Sequence, residues 1–303
     1  MLTIFANLRI NDEERLRHMK DSFWSFKDIS DNWLINIRGT YRSQALDFLK
    51  EHLADRGTFF ELLNDERGWI RNALDMLPSA KYDYVLLWVE DHINLVPVDL
   101  YPKITKEMSR RDADYLMYSW WMFGEARRGF DELGLEKGET VDTIYLTAKK
   151  WKKILKSGYK NYLISAVGIF KKAFLHKLML KDRRKLPMFF TRNLYRLLVL
   201  LAYLGAKFNR KTAFHKINNF FGNVFPRFPK DTPFNLEKTP FRTDILPIKI
   251  ALPKQELFAC IDDDLGTPGY QLIKRGLYPK IANQSIFDLA SLHGGGKGET
   301  IER

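Results

Sequence analysis

The chain has 303 residues, of which 45% are hydrophobic and 14% aromatic, and its formal net charge is +12 at pH 7. This length and composition allow a full hydrophobic core, which excludes a disordered protein and predicts one large or two modest domains. The single cysteine, Cys260, excludes an internal disulfide and a thiolate zinc cluster, and we interpret it as inert packing.

The N-terminus and the apolar runs predict neither export nor membrane insertion. The sequence MLTIFANLRINDEE has no basic segment leading into an apolar one, so we expect no signal peptide and a cytoplasmic chain. The longest apolar run, residues 197–206, is about half of the roughly 20 residues that a membrane-spanning helix needs.

Residues 1–96 alternate between short apolar runs and amphipathic stretches. LTIFANL, NWLINI, TFFELL and YDYVLLWV predict four strands, and the stretches between them predict three helices. Asn11 or Asp12 is expected to cap the first helix, whose first turn is acidic. The order β-α-β-α-β-α-β is typical of a Rossmann-like α/β fold with a parallel sheet.

In such sheets, ligands bind beyond the carboxyl ends of the strands. The residues that follow or end the predicted strands, and that we expect at this edge, are Asn7, Leu8, Arg9, Arg38, Gly39, Asn64, Asp65, Glu90, Asp91 and His92. Neither GxGxxG nor GxxxxGK[ST] occurs in the sequence, so neither the dinucleotide fingerprint nor the P-loop supports a ligand assignment.

Glu90 and Asp91 directly follow the fourth predicted strand. A carboxylate at this point can hold a divalent cation or accept hydrogen bonds from a sugar hydroxyl. Mg²⁺ or Mn²⁺ on one or two carboxylates, completed by phosphate oxygens, is the usual arrangement for a nucleotide diphosphate. The alternative is a strand end whose acids are simply solvated.

The segment NDERGWIRNALDMLPSAKYDYVLLWVEDH resembles family 2 nucleotide-sugar glycosyltransferases with the GT-A fold, of the bacterial surface-polysaccharide type. Residues 1–96 are covered, and the matching positions are Asn64, Arg71, Asn72, Tyr84 and Asp91. The resemblance implies a nucleotide-diphosphate sugar donor and a divalent metal, Mn²⁺ or Mg²⁺, at Asp91.

The chain departs from this family pattern at two places. Val89 stands where the family has the first aspartate of its metal motif, so Glu90 would contribute from the middle position. NIRGTYR replaces an acidic turn after the second strand, and Arg38 is therefore expected to meet a phosphate or to stack on a base.

Two downstream segments supply further candidates. In YLMYSWWMFGEARRGFDEL, a strand ends near Gly124, and Glu125 is predicted to deprotonate the acceptor hydroxyl, with Asp131 behind it. The alternative for Glu125 is an ordinary helix N-terminal acid. In LHGGGKG, the resemblance nominates His293 as a metal ligand, and the glycines with Lys297 are expected to wrap a pyrophosphate. The alternative for this segment is a frayed tail.

Residues 149–230 contain 21 Lys and Arg and one acid, so this segment holds more positive charge than the net charge of the whole chain. Basic helices with apolar faces dock on anionic membrane surfaces, which is the partner we favour. Nucleic-acid binding is the less favoured alternative, and a solvated basic face is the third.

Three segments are predicted: 1–148 as a GT-A nucleotide-sugar-binding and acceptor core, 149–230 as a basic helical region, and 231–303 as a return segment that completes the site. We expect a cytoplasmic glycosyltransferase, peripheral at the inner face of the membrane, that moves a sugar from a nucleotide-diphosphate donor to a saccharide or lipid-linked saccharide. A nucleotidyltransferase or other phosphate-handling α/β enzyme stays an alternative. So does a non-catalytic membrane- or nucleic-acid-binding module.

Overall fold

A computed structural model of the chain describes residues 1–63, 68–117, 130–156, 163–183, 236, 245–262 and 272–278. Within these residues the strands form one eight-stranded sheet and one two-stranded sheet. The strands are β1 (Thr3–Arg9), β2 (Trp33–Arg38), β3 (Gly57–Phe60), β4 (Tyr84–Leu87), β5 (His92–Asn94), β6 (Tyr115–Leu116), β7 (Val141–Leu146), β8 (Gly168–Lys171), β9 (Ile248–Pro253) and β10 (Phe258–Cys260).

Helices separate most of these strands. The described α-helices are α1 (Glu13–Phe26), α2 (Arg42–Leu53), α3 (Trp69–Met76), α4 (Leu100–Arg110), α5 (Ala148–Lys156) and α6 (Lys172–Arg183). Asp12 is the N-cap of α1, since its side chain accepts a hydrogen bond from the Arg15 backbone N–H at 2.8 Å. Glu13 and Glu14 follow in the first turn, where acids favour the positive end of the helix dipole.

The large sheet has the strand order β3-β2-β1-β4-β8-β6-β9-β7. Its first four strands are parallel, and β8 then runs antiparallel to both β4 and β6. At the far edge β6 pairs parallel with β9, and β7 pairs antiparallel with β9. The prediction of a Rossmann-like α/β fold is confirmed, and the mostly parallel sheet is consistent with the GT-A fold.

The centre of the sheet is covered on both faces. Every residue of β2 is buried, and so is every residue of β1 except Arg9, which is the burial pattern of a parallel strand between two helical layers. Helix α1 packs against α2, whereas α3 packs against α6. The right-handed connections through α1 and α2 run in one direction across the sheet, and the connection through α3 runs back. α1 and α2 therefore lie on one face of the sheet and α3 lies on the other.

The chain order reverses around β1. The connections from β1 through β2 to β3 run toward one edge, and β4 then lies on the other side of β1. Helices on opposite faces leave a crevice outside the carboxyl ends of the two strands at such a reversal, and ligands of open α/β sheets bind there. The ends of β1 and β4 are therefore where this fold is expected to bind a ligand.

The observed elements differ from the predicted ones mainly in length. β4 ends at Leu87, although the Trp88 N–H still donates to the Phe5 carbonyl on β1 at 3.0 Å. The ring Nε1 of Trp88 donates to Ser22 Oγ on α1 at 2.8 Å. The predicted strand YLMYSWW is observed as β6, and residues 118–129 lie outside the described part. No helix among the described residues combines the length and apolarity needed to cross a bilayer.

Candidate functional site

The carboxyl ends of β1 and β2 carry two arginines side by side. Arg9 and Arg38 are Cα partners in the parallel pair, and Arg38 is buried whereas Arg9 is exposed. Gly39 follows with a φ of +103°, and a Cβ at this position would collide with the Ile10 backbone oxygen. The turn after β2 therefore requires glycine, and it keeps these two strand ends in close contact.

A network of buried asparagines joins the ends of β1, β2 and β3. Asn36 Nδ2 donates to Asn7 Oδ1 at 3.0 Å and to the Leu62 carbonyl at 3.3 Å, and Asn36 Oδ1 accepts from the Leu62 N–H at 3.0 Å. Asn72 Nδ2 also donates to the Leu62 carbonyl, at 3.3 Å. Asn7 Nδ2 in turn donates to the Trp69 carbonyl at 3.0 Å. This network fastens the segment after β3 and the start of α3 to the edge of the sheet.

Asn36 lies at this edge although its place there was not predicted from the sequence. Its sequence signal is a polar side chain inside the apolar run NWLINI, because a buried amide must find hydrogen-bond partners. The amide of Asn7 is engaged within the protein and positions its neighbours, and the contact of Asn7 with a ligand stays a prediction.

Glu90 lies in the turn after β4 and pairs with α1. Arg15 Nη1 donates to Glu90 Oε1 at 2.9 Å, and 14% of the Glu90 side chain is exposed. Burial and the neighbouring charge of Asp91 raise the pKa of Glu90 to about 7, and Arg15 and His92 offset part of that rise. This carboxyl therefore keeps its proton to a higher pH than an exposed glutamate does.

Asp91 and His92 form a carboxylate–imidazole pair, with 2.6 Å between Asp91 Oδ1 and His92 Nδ1. Burial opposes ionisation of Asp91, but the charge of His92 and this hydrogen bond outweigh it and lower the pKa of the Asp91 carboxyl. The Asp91 side chain is 37% exposed and the His92 side chain 9%. The pair thus presents an ionised carboxylate to solvent, backed by a buried imidazole.

The backbone around this pair is held by α1 and β10. Ser22 Oγ donates to the His92 carbonyl, and the Ile261 N–H donates to the Asp91 carbonyl at 2.7 Å. β10 pairs antiparallel with β5, and Cys260 lies directly opposite His92. A carboxylate oxygen of Asp91, a ring nitrogen of His92 and Cys260 Sγ consequently lie within 4.8 Å of one another.

A second group of potential ligands involves α1. One carboxylate oxygen each of Glu14 and Asp262 and one ring nitrogen of His18 lie within 4.8 Å of one another. His18 is buried, whereas both carboxylates are exposed. Asp262 belongs to the acidic segment CIDDDLG, residues 260–266, of which the structure describes residues 260–262.

The other predicted site residues have varied surroundings. The Leu8 side chain belongs to the hydrophobic core, which leaves only its backbone for a ligand, and Arg71 is exposed on α3. Asp131 Oδ1 accepts from Lys137 Nζ at 3.3 Å. Outside the described residues lie Asn64, Asp65, Glu125, His293 and Lys297. The functional roles of all of these residues stay predictions.

Comparison with known proteins gives a partial structural likeness. No protein-family model matches the chain, and no curated protein matches it. Among solved structures it is similar to S. aureus TarS, with 13% identity and a TM-score of 0.36, over 58% of this chain and 29% of that chain. It is also similar to TarS 1–349 in complex with UDP-GlcNAc and in complex with UDP, each with a TM-score of 0.35 and 13% identity over 58% of this chain. The match covers 47% and 48% of those two chains, so this chain spans less than half the length of each TarS structure.

Proposed function

We propose that this chain is a glycosyltransferase that moves a sugar from a nucleotide-diphosphate donor to a saccharide or lipid-linked saccharide, assisted by a divalent metal. The observation that supports the proposal most is the Asp91–His92 pair just beyond β4, where the strand order reverses. Arg9 and Arg38 end the neighbouring strands, and guanidinium groups suit the oxygens of phosphates.

The donor atoms around Asp91 suit a divalent cation. The carboxylate is ionised and partly exposed, and an imidazole lies against it. Mn²⁺ or Mg²⁺ at Asp91 would neutralise the charge that develops on the leaving diphosphate. His293 is the further metal ligand that we propose from the sequence.

The donor nucleotide would lie along the carboxyl ends of the parallel strands. We assign the diphosphate to Arg9, Arg38 and Lys297, whose cationic groups complement its charge. The other proposed donor contacts are Asn7, Leu8, Asn64, Asp65, Arg71 and Glu90. Among these, Leu8 would act through its backbone, because its side chain is in the core.

In the proposed transfer, the acceptor hydroxyl oxygen forms a bond to the anomeric carbon of the donor sugar. The bond between that carbon and the β-phosphate oxygen breaks, and the nucleoside diphosphate leaves with the bonding electrons. Glu125 is proposed to take the hydroxyl proton, with Asp131 behind it.

We further propose that the basic segment 149–230 docks the enzyme on an anionic membrane, at the cytoplasmic face. Its described part includes the cationic face of α5, where Lys149, Lys152 and Lys153 are exposed while Trp151 and Ile154 are buried. Cations near an anionic surface are attracted over about 8 to 10 Å at physiological ionic strength. Co-sedimentation with anionic vesicles that is insensitive to salt would contradict this part of the proposal.

Analysis of the released nucleotide tests the reaction class. The protein is incubated with a panel of nucleotide-diphosphate sugars and Mn²⁺, with a saccharide acceptor present. A glycosyltransferase releases the nucleoside diphosphate and leaves its two phosphates joined. Release of pyrophosphate from nucleoside triphosphates, with no nucleoside diphosphate from any sugar donor, would instead identify a nucleotidyltransferase.

A further inference from the structure

We propose that Asp91, His92 and Cys260 together form a site for a borderline divalent cation of the zinc class, with sulfur as one ligand. The inference rests on the proposed function in one respect, since the ion would share the Asp91 carboxylate with the Mn²⁺ or Mg²⁺ of the proposed transfer. A zinc-class ion held by His92 and Cys260 would compete with these cations for that carboxylate. It assigns to Cys260 a role that its sequence context does not indicate.

The backbone places the imidazole and the thiol on one face. His92 and Cys260 are directly opposed Cα partners of the antiparallel pair β5–β10. Side chains of directly opposed residues project from the same side of such a pair, about 4.5 to 5.5 Å apart at Cβ. The backbone hydrogen bond from Ile261 to the Asp91 carbonyl keeps Asp91 at the end of this pair.

The spacing of the donor atoms is close to that of a metal centre. Zinc takes its ligands at about 2.0 to 2.3 Å, so two donors on one ion are roughly 3 to 4 Å apart. The donor atoms of the three residues lie within 4.8 Å of one another, and small side-chain rotations would close the difference. Three protein ligands leave a fourth position open, as in catalytic zinc sites.

The chemical type of the donors selects the cation. A thiolate with an imidazole and one carboxylate favours Zn²⁺ or Co²⁺, whereas Mg²⁺ prefers oxygen ligands alone. Cys260 is buried. A cation that binds its sulfur would replace the thiol proton, and that proton would leave to solvent. The partly exposed Asp91 carboxylate provides the route by which an ion enters.

The second group, Glu14, His18 and Asp262, offers an internal comparison. It has two exposed carboxylates and a buried imidazole but no sulfur. A cation bound there would lack a bond to a thiolate, and the two groups are therefore distinguishable by spectroscopy.

Titration of the EDTA-treated full-length protein with Co²⁺ tests the proposal. Cys260 is the only cysteine of the chain, so a cobalt–thiolate charge-transfer band in the near ultraviolet identifies it without any variant. We expect this band in the wild type and in Glu14→Gln, and its complete loss in Cys260→Ser. Zn²⁺ affinity should fall about tenfold or more in Cys260→Ser, since even outer partners of metal ligands are worth that much.

Absence of the band from the wild type at saturating Co²⁺ would overturn the proposal, whatever the variants do. An unchanged Zn²⁺ affinity of folded Cys260→Ser, checked by circular dichroism, would overturn it too. UDP binding measured on the same samples separates this proposal from the proposed function. A cobalt–thiolate band without nucleotide binding supports the metal site alone, whereas nucleotide binding without the band supports the transferase and rejects the sulfur ligand.

Discussion

Asp91→Asn is expected to lower sugar-donor turnover by about 100-fold or more, with the fold intact. A neutral amide is a poor ligand for a divalent cation, and loss of a group that stabilises transition-state charge commonly costs this much. The amide oxygen can still accept a hydrogen bond from His92, so the turn after β4 should keep its conformation. Steady-state release of nucleoside diphosphate from the preferred donor measures the effect.

Asp31→Asn is the matched control, because it removes one carboxylate charge at the amino ends of the parallel strands, opposite to the carboxyl ends where the proposed site lies. Asp31 precedes β2 and accepts hydrogen bonds from Lys81 Nζ at 2.8 Å and Tyr82 Oη at 2.7 Å. The sugar-donor turnover of Asp31→Asn should equal that of the wild type. Wild-type turnover in Asp91→Asn, with or without EDTA, would remove Asp91 from the metal site and from the reaction.

Glu107→Gln is expected to destabilise the protein strongly and to reduce its sensitivity to acid. The buried Glu107 carboxylate on α4 accepts hydrogen bonds from the backbone N–H groups of residues 139–141 at 2.7 to 3.2 Å, and from Thr140 Oγ1 at 2.7 Å. Arg111 Nε also donates to it, at 3.1 Å. A glutamine presents an N–H₂ group to several of these donors and leaves them unsatisfied in the interior.

The pH dependence follows from the pKa of the same group. Burial opposes ionisation of Glu107, but the hydrogen bonds from Thr140 and from the backbone outweigh it and lower its pKa from 4.5 to about 2. Because the folded-state pKa is depressed, the unfolded chain binds the proton more tightly. The stabilisation is therefore complete above about pH 4.5 and is lost as the pH falls toward 2. This difference in pKa corresponds to about 3 kcal/mol.

Urea unfolding at neutral pH and at about pH 3 measures both effects. The free energy of unfolding should fall more steeply with acid in the wild type than in Glu107→Gln. Asp99→Asn is the control, since Asp99 lies on the exposed start of the same helix and pairs only with Lys103 among the bonds described for its side chain. If the free energy of unfolding changes with pH in the same way in the wild type and in Glu107→Gln, the Glu107 carboxylate does not anchor the loop before β7.

The first four strands and three helices were predictable because their signals are local. Apolar runs of strand length alternate with helical periodicity over residues 1–96, and the cap at Asp12 is read from the residue type and its acidic neighbours. The end of β4 was predicted two residues too late, since the apolar run in the sequence continues through Trp88 and Val89 beyond the observed strand.

The composition of the site was less predictable, because it depends on contacts between distant segments. Cys260 reaches His92 only through the antiparallel pairing of β10 with β5, and no local pattern around either residue announces that pairing. Asn36 was overlooked because an asparagine within an apolar run has no fixed meaning until its partners, Asn7 and Leu62, are known.

Calorimetric titration of the wild type with UDP, GDP, CDP and CMP, each with and without Mn²⁺, tests the central claim most directly. A nucleotide-sugar site at the ends of β1 and β4 predicts that at least one nucleoside diphosphate binds. It also predicts that Mn²⁺ tightens this binding, because a cation held by Asp91 would neutralise charge on the diphosphate. CMP, with a single phosphate, should bind more weakly than the preferred diphosphate. If the folded protein binds none of the four nucleotides under either condition, the central claim is contradicted.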